Sequence, residues 1–136
     1  MNAPTVELHA PSQAIDFSRF MSCLAQVESS SPVGKLNYNA VGRKGELGPW
    51  QMTRLAWELT TTQWPFSYAT DPIIGYAVAT KRAMIVCDEI KRKGGQVDAF
   101  VLALAWRCGV SGLSSVASES VIDSARRVAN LYNERN

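Results

Sequence analysis

A carboxylate riding at the end of an apolar helical stripe, followed at once by residues that cannot continue a helix, fixes the layout of this chain's first third. Phe17, Phe20, Met21 and Leu24 are spaced by three, one and three residues, so they fall on one side of a helix. Glu28 follows Leu24 by four residues and shares that side. Asp16 is suited to cap the helix at its start. Ser29-Ser30-Ser31-Pro32 ends it, because serines compete for backbone hydrogen bonds and proline disfavours helical geometry in the residue before it. Asn37-Tyr38-Asn39-Ala40-Val41-Gly42-Arg43-Lys44-Gly45 is too rich in Gly and Asn for a helix and reads as a loop or short hairpin. It leads into Gly45-Glu46-Leu47-Gly48-Pro49-Trp50-Gln51, a Gly-x-x-Gly-x-x-Gln turn.

A carboxylate on a core-facing stripe is expected to be partly desolvated, and a helix end sets it near the partial negative charge of the last carbonyls. Both effects favour the protonated form, which suits general-acid work near neutral pH. For a lone glutamate the plainer reading is a solvated side chain at a frayed helix end.

The rest of the chain reads as helices. Residues 53–60 follow the turn as one. Asp71-Pro72 opens a longer one, capped by the aspartate and closed by Gly94-Gly95. No charge stands between Pro72 and Thr80, and Ile73, Ile74, Ala77 and Val78 are prominent there, a pattern that predicts a central helix enclosed by others. Val97, Phe100, Val101 and Leu104 give the next helix its apolar stripe, and Gly109 is placed to end it. Val121, Ala125, Val128 and Tyr132 do the same for the last. Thr60-Thr61-Thr62-Gln63-Trp64-Pro65 reads as an exposed connection.

With 136 residues there is room for one core, so residues 14–136 are expected to form a single domain behind a mobile tail of residues 1–13. An apolar fraction of 46% with 19% charged residues excludes disordered and fibrous classes. A net charge of +2 is too small to argue for nucleic acid, and no segment reaches the roughly 18 apolar residues of a membrane span. Cys23, Cys87 and Cys108 are an odd number in a chain too large to need stapling, so no disulfide framework is expected, and Cys23 and Cys87 read as small core residues. The cysteines lack metal-ligand spacing and His9 stands alone in the tail, so neither a zinc site nor another cofactor is expected.

On Glu28-Ser29, then Asn37-Tyr38-Asn39-Ala40-Val41-Gly42, then Gly45-Glu46-Leu47-Gly48-Pro49-Trp50-Gln51-Met52 and a helix, the chain resembles the soluble lytic transglycosylases of the lysozyme-like superfamily. The resemblance covers residues 17–132 and is stronger in the first half. Where that family carries Ala-Tyr-Asn-Ala-Gly, this chain has Ala105-Trp106-Arg107-Cys108-Gly109. Arg126-Arg127-Val128 is similar to part of the family's closing helix, with Ser124 in place of a usual tyrosine.

The resemblance implies a mainly α, lysozyme-like (α+β superfamily) fold with a short loop or hairpin region after the catalytic helix. It implies cleavage of the β-1,4 linkage between N-acetylmuramic acid and N-acetylglucosamine in peptidoglycan strands, with 1,6-anhydro products. Glu28 would act as acid and then as base. Ser29, Gln51, Met52, Trp106 and Arg107 would contact the glycan. Gly45 and Gly48 would let backbone approach the sugar, and Trp50 and Met52 form either stacking walls or plain core. Glu46, eighteen residues after Glu28, is either a second carboxylate that activates water in a hydrolytic muramidase or a solvated loop residue. Arg107 replaces an asparagine with a group that only donates and is always charged. It either pairs with Glu28 and weakens it as an acid, or receives a peptide-stem carboxylate. A peptidoglycan-binding domain that has lost turnover is the non-enzymatic alternative. The same resemblance implies a monomer working at the cell envelope, in the periplasm or after export. Residues 1–13 show no basic start followed by an apolar run, so no signal peptide is visible.

Overall fold

A computed structural model describes residues 14–32, 34–114 and 117–134; the expected tail of residues 1–13, His9 included, lies outside the described residues. The protein is mainly α. Among the described residues there are five α-helices and no β-sheet.

Helix α1, Phe17–Ser29, begins where Asp16 accepts a hydrogen bond from the Arg19 N–H at 3.1 Å, and stops at Ser30, whose left-handed backbone (φ 56°) no helix can continue. Its buried residues are Phe20, Met21, Cys23, Leu24 and Ala25, the face that the spacing predicts. A stretch of turns follows in which strand-like pairing is limited to isolated bridges of Leu47 to Val41 and to Met52, so of the expected loop or short hairpin it is the loop that forms. Helix α2, Arg54–Thr60, starts on Thr53, whose hydroxyl accepts from the Ala56 N–H. A 3-10 turn at Phe66–Thr70 leads to α3, Ile74–Arg92, whose first amides are held by the Asp71 carboxylate. Helix α4, Ala99–Cys108, is capped by Asp98 and ended by Gly109 at φ 78°. A second 3-10 turn, Ser111–Ser114, precedes α5, Glu119–Asn133, capped by Ser118. None of these helices is long and apolar enough to cross a membrane.

Helix α5 packs along both α4 and α1, while α3 touches α1, α2 and α4 from the other side. The core between them is built on Phe20, Met21, Leu24, Trp50, Trp57, Leu102 and Val128. Trp50 resolves as core: its indole N–H donates to the Met21 carbonyl at 2.7 Å, and its ring meets Tyr38 edge-on and Tyr76 at a tilt. Removing such a side chain costs about 3–5 kcal/mol, so the loop that carries Trp50 is firmly anchored to α1. Met52 is buried beside it.

Three expectations need correction. Helix α3 is not enclosed on all sides: Ile73 is 80% exposed and begins an open stripe continued by Ala77, Lys81, Met84 and Asp88. Where a stretch such as residues 72–80 carries no charge on any side, composition gives no sign of which side meets water; here Gly75, Val78 and Ala79 are buried, Ile74 and Tyr76 pack against the core, and Ala83, Val86, Cys87 and Ile90 continue the buried face. Helix α4 is enclosed on more than the expected stripe, whose Val97 is buried just before it and whose other members pack against the core. Phe100, Val101 and Leu104 are only half-buried, while Ala99, Leu102, Ala103 and Ala105 face inward, because small side chains let α4 approach α5 closely. The connection after α2 is not wholly exposed either. Thr60 is buried and bonds back to the Ala56 carbonyl, and the Trp64 carbonyl accepts from the buried Trp57 indole while its ring stacks at a tilt on Tyr68.

Candidate functional site

Two helices end at one hollow. Glu28 stands in the last turn of α1 and Arg107 in the last turn of α4, and the loop between α1 and α2 closes the space beside them. The cavity has a volume of about 410 Å³. It is lined by Glu28 from α1, by Gly42, Lys44, Glu46 and Gln51 from the loop, and by Trp106 and Arg107 from α4. A second hollow of about 310 Å³ continues from it, sharing Gln51, Thr53, Trp106 and Arg107 and extending over Leu55, Ala56, Leu59 and Val86. Joined at these shared residues, the two form an open groove.

The Glu28 side chain is only 7% exposed, although Arg107 Nη1 approaches its Oε2 at 3.5 Å. Burial pushes the carboxyl above its ordinary value; Arg107 pulls it down by charge and by hydrogen bonding, and Glu46 pushes it up again. Burial prevails. The expected partly desolvated carboxylate is therefore present, with loss of water as the dominant cause.

The loop is a set of short backbone bonds. Gly42 N–H donates to the Glu46 carbonyl at 2.8 Å, Gly48 N–H to the Ala40 carbonyl at 2.9 Å, and Leu47 and Met52 exchange both of theirs at 3.0 Å. Glu46 does line the cavity with Glu28, and its Oε1 accepts from the Lys44 N–H at 3.0 Å, so it is held rather than freely solvated. Gln51 adopts a left-handed backbone (φ 53°), a conformation a non-glycine residue adopts only under constraint. Its Nε2 donates to the Gly48 carbonyl at 3.0 Å, which turns the amide oxygen toward Gly42.

Gly48 has a different reason from the one expected. A Cβ there would stand 2.5 Å from the Ala69 carbonyl oxygen, so the glycine lets the loop lie on the 3-10 turn after α2. Gly42 had no expected role beyond its place at the end of the Asn37–Gly42 stretch: a Cβ on it would collide with Glu46 Oε1 and Gln51 Oε1. Its signal was a glycine between Val41 and Arg43, readable only once the loop's path is known.

Trp106 lines both hollows, and its indole N–H donates to the Trp50 carbonyl at 3.0 Å, which fixes one ring edge and leaves a face to the groove. Met52 contributes to the second hollow from beneath. Ser29 is not among the groove's lining residues: its hydroxyl donates to the Ala25 carbonyl and pairs with Ser31, whose Oγ also accepts from the Asn37 N–H. That cluster ties the helix end to the loop. Cys108 is half-buried in the second hollow, while Cys23 and Cys87 are core thiols raised above their ordinary value by burial. Among the described residues no three histidine, cysteine or carboxylate side chains gather as metal ligands would.

The arrangement offers a carboxyl group biased toward its acid form, a second carboxylate across the same cavity, an amide, and an aromatic wall along an open groove. In comparisons with protein-family models, with curated proteins and with solved structures, nothing matches this chain.

Proposed function

We propose that the protein is a lysozyme-like peptidoglycan lytic transglycosylase in which Glu28 serves as both acid and base. The observation that carries this reading is the buried carboxyl of Glu28 lining an open hollow that adjoins a second one through Gln51, Thr53, Trp106 and Arg107. It is supported by the order of Glu28-Ser29, the glycine-rich loop and Gln51 along the chain, which resembles that enzyme family.

In the first step protonated Glu28 gives its proton to the glycosidic oxygen, and the bond from that oxygen to the anomeric carbon of N-acetylmuramic acid breaks. The sugar's own N-acetyl oxygen meets the developing positive charge, so one carboxylate suffices. The Glu28 carboxylate then takes a proton from the 6-hydroxyl, whose oxygen closes on the anomeric carbon as a 1,6-anhydro ring. Gln51 and Trp106 would hold the sugars, the first by hydrogen bonds and the second by its ring face. Such work lies at the cell envelope or beyond it.

Glu46 favours a second reading, a hydrolytic muramidase, because it lines the same cavity and would be available to activate water. Purified sacculi digested with the protein distinguish the two. We expect muropeptides with 1,6-anhydro ends, lighter by one water than hydrolysed ones, and unchanged in kind by Glu46→Gln. Only reducing ends, abolished by Glu46→Gln, would establish the muramidase. Absence of any cleavage by the folded protein would leave the binding-domain alternative.

A further inference from the structure

We propose that Arg107 is a specificity-determining residue that exchanges Glu28 for a carboxylate on the incoming glycan, so that an acidic substrate both docks in the groove and frees the acid. This rests on the reading of Glu28 as the acid of a glycan-cleaving enzyme.

Four observations support the exchange. The contact to Glu28 uses one guanidinium nitrogen at 3.5 Å, longer than the roughly 2.7–2.9 Å of a well-formed charge-assisted bond, and among the described residues it engages one donor of the five-donor fork. The Arg107 side chain is 37% exposed where that of Glu28 is 7%, so an anion arriving from solvent meets the arginine and not the carboxylate. Arg107 lines both hollows, the middle of the groove. The charged residues around the first hollow are Arg43, Lys44 and Arg107 against Glu28 and Glu46, three cations to two carboxylates, which favours an anionic ligand.

The resting pair also has a chemical cost. An acid must carry its proton, and a guanidinium beside it favours the ionised form. The charges acting on Glu28 come from Arg107 on α4 and Glu46 on the loop, with Arg43 and Lys44 on the same wall. Of these, Arg107 alone forms a hydrogen bond to it. Once a substrate carboxylate has paired with Arg107, Glu28 keeps its burial and loses its main cation. A glycan without a carboxylate leaves the pair in place.

The carboxylate has two possible sources in peptidoglycan: the peptide stem, or the lactyl group exposed when the stem is removed by an amidase. Binding is measured by calorimetry with stem-bearing glycan, amidase-stripped glycan and a neutral chitooligosaccharide. The proteins are Glu28→Gln alone and Glu28→Gln combined with Arg107→Asn, each checked for folding by circular dichroism. We expect Arg107→Asn to weaken binding of a carboxylate-bearing glycan about tenfold or more and to leave the chitooligosaccharide within about twofold. Loss on stem-bearing glycan assigns the peptide carboxylate, and loss on stripped glycan assigns the lactyl group. Equal losses on all three, or none, would overturn the proposal. This arm needs no turnover, so a protein that discriminates but never cleaves sinks the enzymatic reading alone. With Glu28 intact, Arg107→Asn should move the alkaline limb of kcat/KM to higher pH while moving that of kcat less on the acidic glycan, since the two report free and bound enzyme. Equal movement of both limbs also overturns the exchange.

Discussion

The two ends of α1 each bring a carboxylate close to an arginine, at nearly the same separation and with different results. At its start Asp16 and Arg19 lie 3.6 Å apart, one turn from each other in sequence, with side chains 51% and 31% exposed. At its end Glu28 and Arg107 lie 3.5 Å apart, joined only by the fold, with the carboxylate withdrawn from water. The first pair is a helix cap with a neighbouring cation, of the kind that contributes about 0–1 kcal/mol. In the second the carboxyl remains displaced toward its acid form even though a guanidinium touches it. Separation between charges is therefore a poor guide to what a pair does; the share of water lost by the carboxylate decides it.

The sharpest separation between the two ends should be in cleavage. Glu28→Gln is expected to lower the clearing of sacculi by about 10²–10⁴-fold, the usual worth of a general acid. Asp16→Ala should leave clearing unchanged and cost about 1 kcal/mol in denaturant unfolding through the lost cap. Clearing by a folded Glu28→Gln protein at the wild-type rate, or its loss in Asp16→Ala, would break the comparison.

A smaller effect is expected from added volume at the cleft end. Gly42→Ala would displace the carboxylate end of Glu46 and the amide end of Gln51, flexible tips that can move at little cost in stability, and we expect clearing to fall about tenfold while the unfolding midpoint is nearly kept. Full activity in this variant would mean that the two side chains have no fixed place in the reaction.

The smallest effect is in stability against pH. Because Glu28 titrates above its ordinary value of 4.5 when folded, it binds its proton more tightly there than in the unfolded chain. The stability it adds is complete below that ordinary value and is lost as pH rises through the folded value. The neutral amide of Glu28→Gln has no such loss. Its unfolding midpoint should gain on the wild type as pH is raised from about 4 to 8. A gain for the wild type over the same range would show that Arg107 outweighs burial.

Helix α1, its cap and its stop were legible because spacing, Asp16 and the serine run all act within a few residues. Gly109 ended α4 for the same local reason. The faces of α3 and α4 were less legible. Over uncharged stretches such as 72–80 and 99–106 every side looks equally fit for burial, and which one is used depends on where small residues such as Ala99 and Ala103 allow another helix to approach. Within the site, Glu28 and Gln51 were marked by chemistry and order along the chain. The Glu28–Arg107 contact spans 79 residues and stood only as one of two choices for Arg107. The left-handed turn at Gln51 and the space kept open by Gly42 carry no signature in neighbouring residues, since the second depends on how the loop folds back to bring Glu46 and Gln51 against Gly42.

Two tryptophans link the carriers of that ion pair in series: Trp106 on α4 donates to the carbonyl of Trp50, and Trp50 donates to the carbonyl of Met21, two turns before Glu28 on α1. Both acceptors belong to the main chain. A carbonyl survives any substitution at its own position, so the link itself asks nothing of the Met21 side chain, which is held instead by its full burial in the core. The alignment of α1 with α4 thereby leans on two indoles, of which Trp50 is also a buried core side chain and so the costlier to lose.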